Sequence, residues 1–219
     1  MALGATLVDL FSMCVLVATF VALASRLVKH HVYAYTAQNV LLAGISTVFA
    51  VQTGHVELYV LAGFVLVVRA WLIPRVLRDV NATVSERKER TRYPYVGLGG
   101  TIALSLALVI LVVFLSHGLA VKLGLPSSNR LGVGVSVFVL GILVMTLRRQ
   151  TVSQVVGFLT AETGVNLVAL LAANSFPFVV ELLLAADLIA AVLVLAQIVH
   201  VLDARAGTTD TRHLRRLQG

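Results

Sequence analysis

The sequence predicts an all-α polytopic membrane protein with about seven transmembrane helices, its amino terminus outside and its carboxyl terminus in the cytoplasm. Three observations carry that prediction. The 219 residues are 59% hydrophobic and only 12% charged, roughly half the charge of a soluble domain, and mean hydropathy is +0.97. The apolar residues come in stretches of ~20, the length a helix needs to cross a hydrocarbon core of ~30 Å. Lys and Arg gather in alternate connections between those stretches. This arithmetic excludes a soluble enzyme, a disulfide scaffold and a disordered chain. The single cysteine, Cys14, supplies neither an intramolecular disulfide nor the ligands of a cluster, so no cofactor and no metal is expected in this chain.

The elements follow in order. Span 4–25 holds an apolar run from Ala5 to Ala24 that is too long for a signal peptide and has no basic stretch before it, which makes it a helix. Spans 35–54 and 57–77 come next, with Pro74 read as a helix-end feature. The polar segment 78–94 reads as a solvated loop. Its Asn81-Ala82-Thr83 matches a glycosylation acceptor, a chance match on a cytoplasmic loop. Spans 95–118, 130–147, 151–173 and 177–201 complete the set, the fifth being short and flanked by Arg130 and Arg148. The whole of 1–219 is one integral membrane domain, divided into a three-helix part (1–94), central helices (95–147), a carboxyl-terminal hairpin (148–203) and a cytoplasmic tail (204–219).

The cations sort by side. Arg26 and Lys29 follow the first span; Arg75, Arg78, Arg87, Lys88, Arg90 and Arg92 follow the third. Arg148 and Arg149 follow the fifth, and Arg205, Arg212, Arg215 and Arg216 make the tail. Lys122 and Arg130 alone face the other way, and Arg69 lies inside a span. Positive loops stay cytoplasmic, which fixes the direction of the chain. The net charge of +7 is therefore a topological determinant and an anionic-lipid contact rather than a nucleic-acid footprint.

Gly97, Gly99 and Gly100 open the fourth span, and Gly132 and Gly134 the fifth. Neither run follows a strand, so they read as small residues for close helix packing, not as a phosphate-cradling loop. Lys29, Lys88 and Lys122 all fall outside the spans, which leaves a retinal-type Schiff base no lysine.

Ionisable groups at membrane depth carry the functional signal, because each costs at least ~2.5–3.5 kcal/mol at a helix centre. Four stand out: Arg69, Glu162, Glu181 and Asp187. At ~1.5 Å per residue, Arg69 lies about 18 Å down its span, Glu162 about 18 Å and Asp187 about 15 Å from the outer ends of theirs, with Glu181 shallower. The connection Asn174-Ser175-Phe176 is short, so the last two spans form an antiparallel hairpin that sets Glu162 beside Asp187. Glu181 and Asp187 point about 120° apart on their helix. A carboxylate in a low-dielectric interior exchanges protons near neutral pH, as a relay needs. Two structural alternatives stand beside the relay: Arg69 pins two helices through an ion pair, or it snorkels to the interface. Asp9, Glu57 and His117 read as interfacial, while Gln38, Asn39, Gln154 and Asn166 read as helix-to-helix hydrogen-bonding groups, with water-wire lining second.

The segments QTVSQVVGFLTAETGVNLVALL and PFVVELLLAADLIAAVLVLAQIV resemble the carboxyl-terminal half of the hydrogenase-4 component E family, membrane subunits of group 4 hydrogenase and formate hydrogenlyase complexes. LYVLAGFVLVVRAWLIPRVL is similar to that family's third helix, with a basic residue shortly before Leu-Ile-Pro. Spans five to seven, including the 148–203 hairpin, also resemble the small K subunit of respiratory complex I and its relative, the C subunit of multisubunit cation/proton antiporters. Glu162-Thr163-Gly164 resembles the family's Glu-Asn-Gly, with threonine in place of asparagine, and Val180-Glu181 with Asp187 resembles its Val-Glu and following aspartate. Arg69 stands where relatives carry a lysine; arginine hardly deprotonates, which makes its role electrostatic. The resemblance implies a non-redox subunit of a complex I-like hydrogenase or formate hydrogenlyase-type assembly in a prokaryotic inner membrane. It would take part in proton translocation or its coupling to electron transfer. Antiporter-like and quinone-subunit-like proteins would be its neighbours and lipids its surroundings, with nucleic acid excluded and any enzymatic step carried by other subunits. The alternatives are an accessory antiporter subunit and a membrane scaffold for a larger pumping subunit.

The charge pattern sets a direct test of direction. Cysteines introduced by Val84→Cys and Val121→Cys are expected to react with an impermeant thiol reagent from opposite faces of the membrane. Labelling of both from the outside contradicts the seven-span topology.

Overall fold

The computed structural model describes residues 2–25, 27–84, 97–123, 128–148 and 151–172. It is a bundle of antiparallel helices, with no β-strand element among the described residues. The elements are α1 (Ala2–Ala24), α2 (Val28–Thr53), α3 (Val56–Phe64), a π-helical segment (Val65–Leu72), α4 (Ile73–Val84), α5 (Leu98–Leu123), α6 (Ser128–Leu147) and α7 (Thr151–Ala172). Since α3, the π segment and α4 run on without a break, the first six expected spans are each a helix. The seventh, 177–201, lies outside the described residues, as does the tail 204–219. Five of these helices are long and apolar enough to cross a membrane, and Leu131–Leu147 is a shorter apolar helix, in keeping with the short fifth span.

Local chemistry sets the ends. Gly54 follows Thr53 with φ 73°, and its N–H donates to the Ala50 carbonyl. A left-handed residue at a helix end suits glycine, which has no Cβ to clash. The chain then reverses within two residues into α3.

Three boundary expectations need correction: α2 begins at Val28 rather than at 35, which brings Lys29 into the helix, and the other two concern the third span. Residues 78–84 belong to α4 rather than to a solvated loop, and Arg78 closes that turn by donating from Nε to the Pro74 carbonyl at 3.2 Å. Pro74 therefore does not end the third span. A proline has no N–H and crowds the carbonyl four residues before it. Here the helix answers by widening: the Ile73 N–H reaches the Val68 carbonyl, five residues back, and the helix continues past the proline.

At the middle of the bundle, α1, α2, α6 and α7 pack on one another, while α3–α4 lies against α2 and α5 against α6. Three apolar clusters fill it. One joins Val8, Val15, Leu42, Leu61, Val65, Val137 and Leu167 with their neighbours; a second joins Val28, Val32, Tyr35, Ile73, Leu77, Val152 and Leu159; a third joins Leu23, Leu140 and Val144. The outward faces of α1, α3 and α5 remain apolar, with Phe114, Ile110 and Val60 exposed. Such faces are the expected surface of a helix in lipid.

At the α6–α7 seam backbone packs against backbone. Gly134 and Gly141 on α6 meet Gly157 and Gly164 on α7, each pair seven residues and about two turns apart on one helix face. A Cβ at Gly164 would lie 2.7 Å from the Phe138 Cα, and one at Gly141 would lie 2.6 Å from the Ala161 Cα. Close packing at Gly134 fits the reading of that glycine, and a Cβ at Gly132 would lie 3.4 Å from the Val113 Cα and the Ser116 Cβ of α5. Among the described residues nothing lies within 4 Å of a Cβ built at Gly97 or Gly99.

Gly164→Ala and Gly141→Ala are accordingly expected to destabilise the protein by ~1–3 kcal/mol each, the usual cost of overpacking. Gly63→Ala, with open space around it, should be neutral. Thermal unfolding in detergent decides; equal midpoints for all three variants would refute the tight seam.

Candidate functional site

The centre of the site is an ion pair. Arg69 sits in the π segment, just before Pro74 widens the helix, and its side chain is 2% exposed. It crosses to α7, where Nη2 lies 3.0 Å from Oε2 of Glu162 and donates to Thr163 Oγ1 at 3.4 Å. Glu162 is the twelfth of the 22 residues of α7, and its side chain is 13% exposed. Arg69 is the fourteenth residue of the 23-residue apolar span Val56–Arg78. Both charges thus lie near the middle of their helices, as their sequence depths require. Arg69 turns into the bundle, so it does not snorkel to the interface. Of the four ionisable groups the sequence singles out, the structure brings these two together. Glu181 and Asp187 lie outside the described residues.

A second set of buried polar groups lies on α2. His31, Tyr35, Gln38, Asn39 and Ser46 are all fully buried. At 100° per residue they fall within about 100° of arc, so they form one face. Gln38 ties three helices: Nε2 donates to Thr19 Oγ1 of α1 at 2.9 Å, and Oε1 accepts from Thr160 Oγ1 of α7 at 3.4 Å. This is the helix-to-helix role expected of Gln38. Asn39 instead turns back along its own helix, Nδ2 donating to the Tyr35 carbonyl at 2.8 Å. Gln154 Nε2 donates to the Arg148 carbonyl at 3.0 Å, and Asn166 is buried one turn beyond Glu162. Asp9, Glu57 and His117 are exposed, in keeping with an interfacial position.

One cation departs from its expected place. Arg148 is not a solvated loop charge: it is buried, and Nη2 donates to the Leu23 carbonyl at 2.7 Å and the Ser25 carbonyl at 2.9 Å. A helix ends with carbonyls that lack intrahelical donors and with partial negative charge; Arg148 satisfies both needs at the end of α1. The ring Nε2 of His31 also lies 3.0 Å from the Ser25 carbonyl. Because a carbonyl only accepts, that nitrogen carries the hydrogen and Nδ1 holds the lone pair. Sequence reasoning missed the π segment, Thr163 as the second partner of Arg69, and this cap. Pro74 five residues after Arg69 was the available signal for the first.

The fold and site define a class: a polytopic helical membrane protein whose interior holds an arginine–carboxylate pair and a buried polar face. Comparison with known proteins narrows it. The chain is 24% identical to hydrogenase-4 component E of Escherichia coli K12 over 188 residues, which cover 84% of this chain and 85% of that protein. The same values hold for hydrogenase-4 component E of Shigella flexneri. It is 26% identical to an uncharacterized protein of Mycobacterium tuberculosis over 182 residues, 83% of this chain and 82% of the relative. No family model matches the chain, and no solved structure does.

Removing the Arg148 cap tests how far the site depends on it. Arg148→Leu strands the α1 carbonyls and is expected to cost ~1–3 kcal/mol, the penalty for a buried unsatisfied group. Arg75→Leu, at an exposed position, should change stability by less than ~0.5 kcal/mol. Indistinguishable unfolding of the two variants would remove Arg148 from the helix end.

Proposed function

We propose that this chain is a non-redox membrane subunit of a complex I-like hydrogenase or formate hydrogenlyase-type assembly, in which Glu162 takes and passes protons and Arg69 controls its charge. The observation that carries the reading is the buried Arg69–Glu162 pair at mid-helix, set on a π-helical segment, a feature that recurs at functional sites. The likeness to hydrogenase-4 component E over most of the chain supports the assembly. With one cysteine, the chain cannot supply a cluster's ligands, which leaves electron transfer to partner subunits.

The chemistry is electrostatic. In contact, guanidinium and carboxylate neutralise each other, and the pair is tolerable in hydrocarbon. Any movement that separates them leaves a lone carboxylate where charge is costly, and it takes a proton; renewed contact with the permanently charged guanidinium expels that proton. Arginine does not itself release a proton, so Arg69 acts as the switch and Glu162 as the carrier. Glu181 and Asp187 are proposed as further carriers on sequence grounds. Antiporter-like and quinone-subunit-like proteins are the proposed neighbours, a prokaryotic inner membrane the proposed location, and the amino terminus outside the proposed orientation. The same ion pair supports a second reading, a pin between the π segment and α7, as in a scaffold.

The two readings part on Glu162→Gln. The relay predicts that complex yield survives while proton transport or coupled turnover in membrane vesicles is lost, since the amide keeps the shape and cannot carry the proton. The pin predicts lost yield, because one member of a buried pair left alone costs ~3–5 kcal/mol, and rescue on adding Arg69→Gln. Normal yield with undiminished coupling would remove Glu162 from the mechanism.

A further inference from the structure

The third span presents a graded outer face. Ile73 and Leu77 turn inward and pack with Val28, Val32 and Tyr35 of α2. On the opposite side Val60, Val67, Trp71, Arg75 and Arg78 follow one another at steps of seven, four, four and three residues. Those steps keep them within roughly 80° of arc, so they form one stripe. All five are exposed. From Val56, where the span begins, a rise of ~1.5 Å per residue puts Trp71 about 23 Å, Arg75 about 29 Å and Arg78 about 33 Å along the helix. A hydrocarbon core is ~30 Å thick, so the indole lies just inside the far boundary and the two guanidiniums at or past it. The charge pattern makes that boundary the cytoplasmic one.

Trp71 and Arg75 act together. The Arg75 Cζ stands 5.6 Å from the centroid of the Trp71 ring, within the range of a cation–π contact. Stacking uses the face of a guanidinium and leaves its N–H edge to donate. Among the described residues nothing accepts from Arg75 or from the Trp71 indole N–H. Arg78 donates from Nε to the Pro74 carbonyl, which leaves its two Nη groups.

We infer that Trp71, Arg75 and Arg78 hold the headgroup phosphate of an anionic phospholipid of the cytoplasmic leaflet, its acyl chain lying along Val67 and Val60. The stripe runs from apolar to aromatic to basic, the order of chain, ester and phosphate in the lipid itself. A guanidinium edge pairs with two phosphate oxygens, and the indole N–H donates to an ester oxygen at the depth where tryptophan is favoured. An anionic headgroup suits two neighbouring arginines better than a zwitterionic one, which brings its own cation. An apolar protein surface would strand both guanidiniums, and a free phosphate would make no use of the valines. The site does not depend on the relay reading; it touches that reading only because Trp71 shares the π segment with Arg69.

Trp71 is the only tryptophan of the chain, so its emission reports on the site without a label. The full-length protein is placed in phosphatidylcholine vesicles in which an equal fraction of lipid is brominated phosphatidylglycerol or brominated phosphatidylcholine, the bromines high on the chain. The brominated phosphatidylglycerol is expected to quench at least twice as strongly. Equal quenching by the two lipids, or quenching by neither, overturns the site. Arg75→Gln with Arg78→Gln should bring the ratio to one, while Arg215→Gln with Arg216→Gln, which removes the same charge from the tail, should leave it. A ratio that falls equally in both pairs, or in neither, assigns the preference to something other than these arginines and overturns the proposal. Should the double variant insert poorly, Arg75→Gln alone is expected to remove at least half of the excess quenching. Inorganic phosphate on both sides of the membrane, compared with chloride at the same ionic strength, should leave the excess unchanged; a reduction identifies a free-anion site and overturns the lipid. In the complex purified from its native membrane and returned to the same vesicles, loss of quenching by both lipids gives the face to a partner subunit and overturns the lipid as well.

Discussion

A guanidinium and a carboxylate placed in hydrocarbon must neutralise each other, and the helices around Arg69 and Glu162 are arranged so that they do. Each charge alone at a helix centre costs ~2.5–3.5 kcal/mol or more. At 3.0 Å the two offset much of that cost, provided the remaining hydrogen-bonding capacity is met. Thr163 meets part of it. The hydroxyl can do so because it stays bonded to its own helix, donating to the Leu159 carbonyl at 2.9 Å while its oxygen accepts from Arg69. A valine at that position would have the same shape and leave one arginine donor with nothing to bond there.

The same economy governs five other hydroxyls of the interior. Ser12, Thr19, Ser46, Ser105 and Ser136 each donate to the carbonyl four residues earlier. Bonded in this way, a hydroxyl sits in an apolar environment at little cost and needs no partner on another helix. Thr19 shows the further use of the arrangement, because its oxygen remains an acceptor for Gln38. Polar contacts between helices among the described residues include Gln38 with Thr19 and Thr160, Arg69 with Glu162 and Thr163, and Arg148 and His31 on the end of α1.

Much of the fold was legible in the sequence. Runs of ~20 apolar residues admit one solution in lipid, a helix whose backbone bonds are all internal, and the six spans that fall on described residues came out as helices. Arg69 and Glu162 were legible for the same reason, since their depth follows from residue count alone. An ion pair of Arg69 with one of the membrane acids was among the sequence's alternatives; that the acid is Glu162 depends on how α3–α4 and α7 are set around α2, a matter of packing that no periodicity encodes. The length of α4 was missed because its last turns, from Arg78 to Val84, are polar and read as solvated loop while still satisfying a helical backbone. Arg148 was misplaced because a count of loop cations records side, not burial; only the approach of α6 to the end of α1 reveals what it touches. The glycines of the α6–α7 seam lie mid-helix, where composition marks them as tolerated rather than required.

That seam has a mechanical consequence. With backbone against backbone at Gly134, Gly141, Gly157 and Gly164, α7 cannot slide or roll past α6 without collision, so the height of Glu162 in the bundle is fixed. The helix that carries Arg69 has no such glycine seam among the described residues: it packs along α2 and meets α7 through side chains, and at Arg69 its winding is already loosened by the proline that follows. The carboxylate is thus the anvil of the pair and the guanidinium the hammer. If Arg69 is the switch proposed for it, a strain arriving in the membrane plane would be taken up as a turn of the arginine's helix and would reach the acid as a change in the charge beside it.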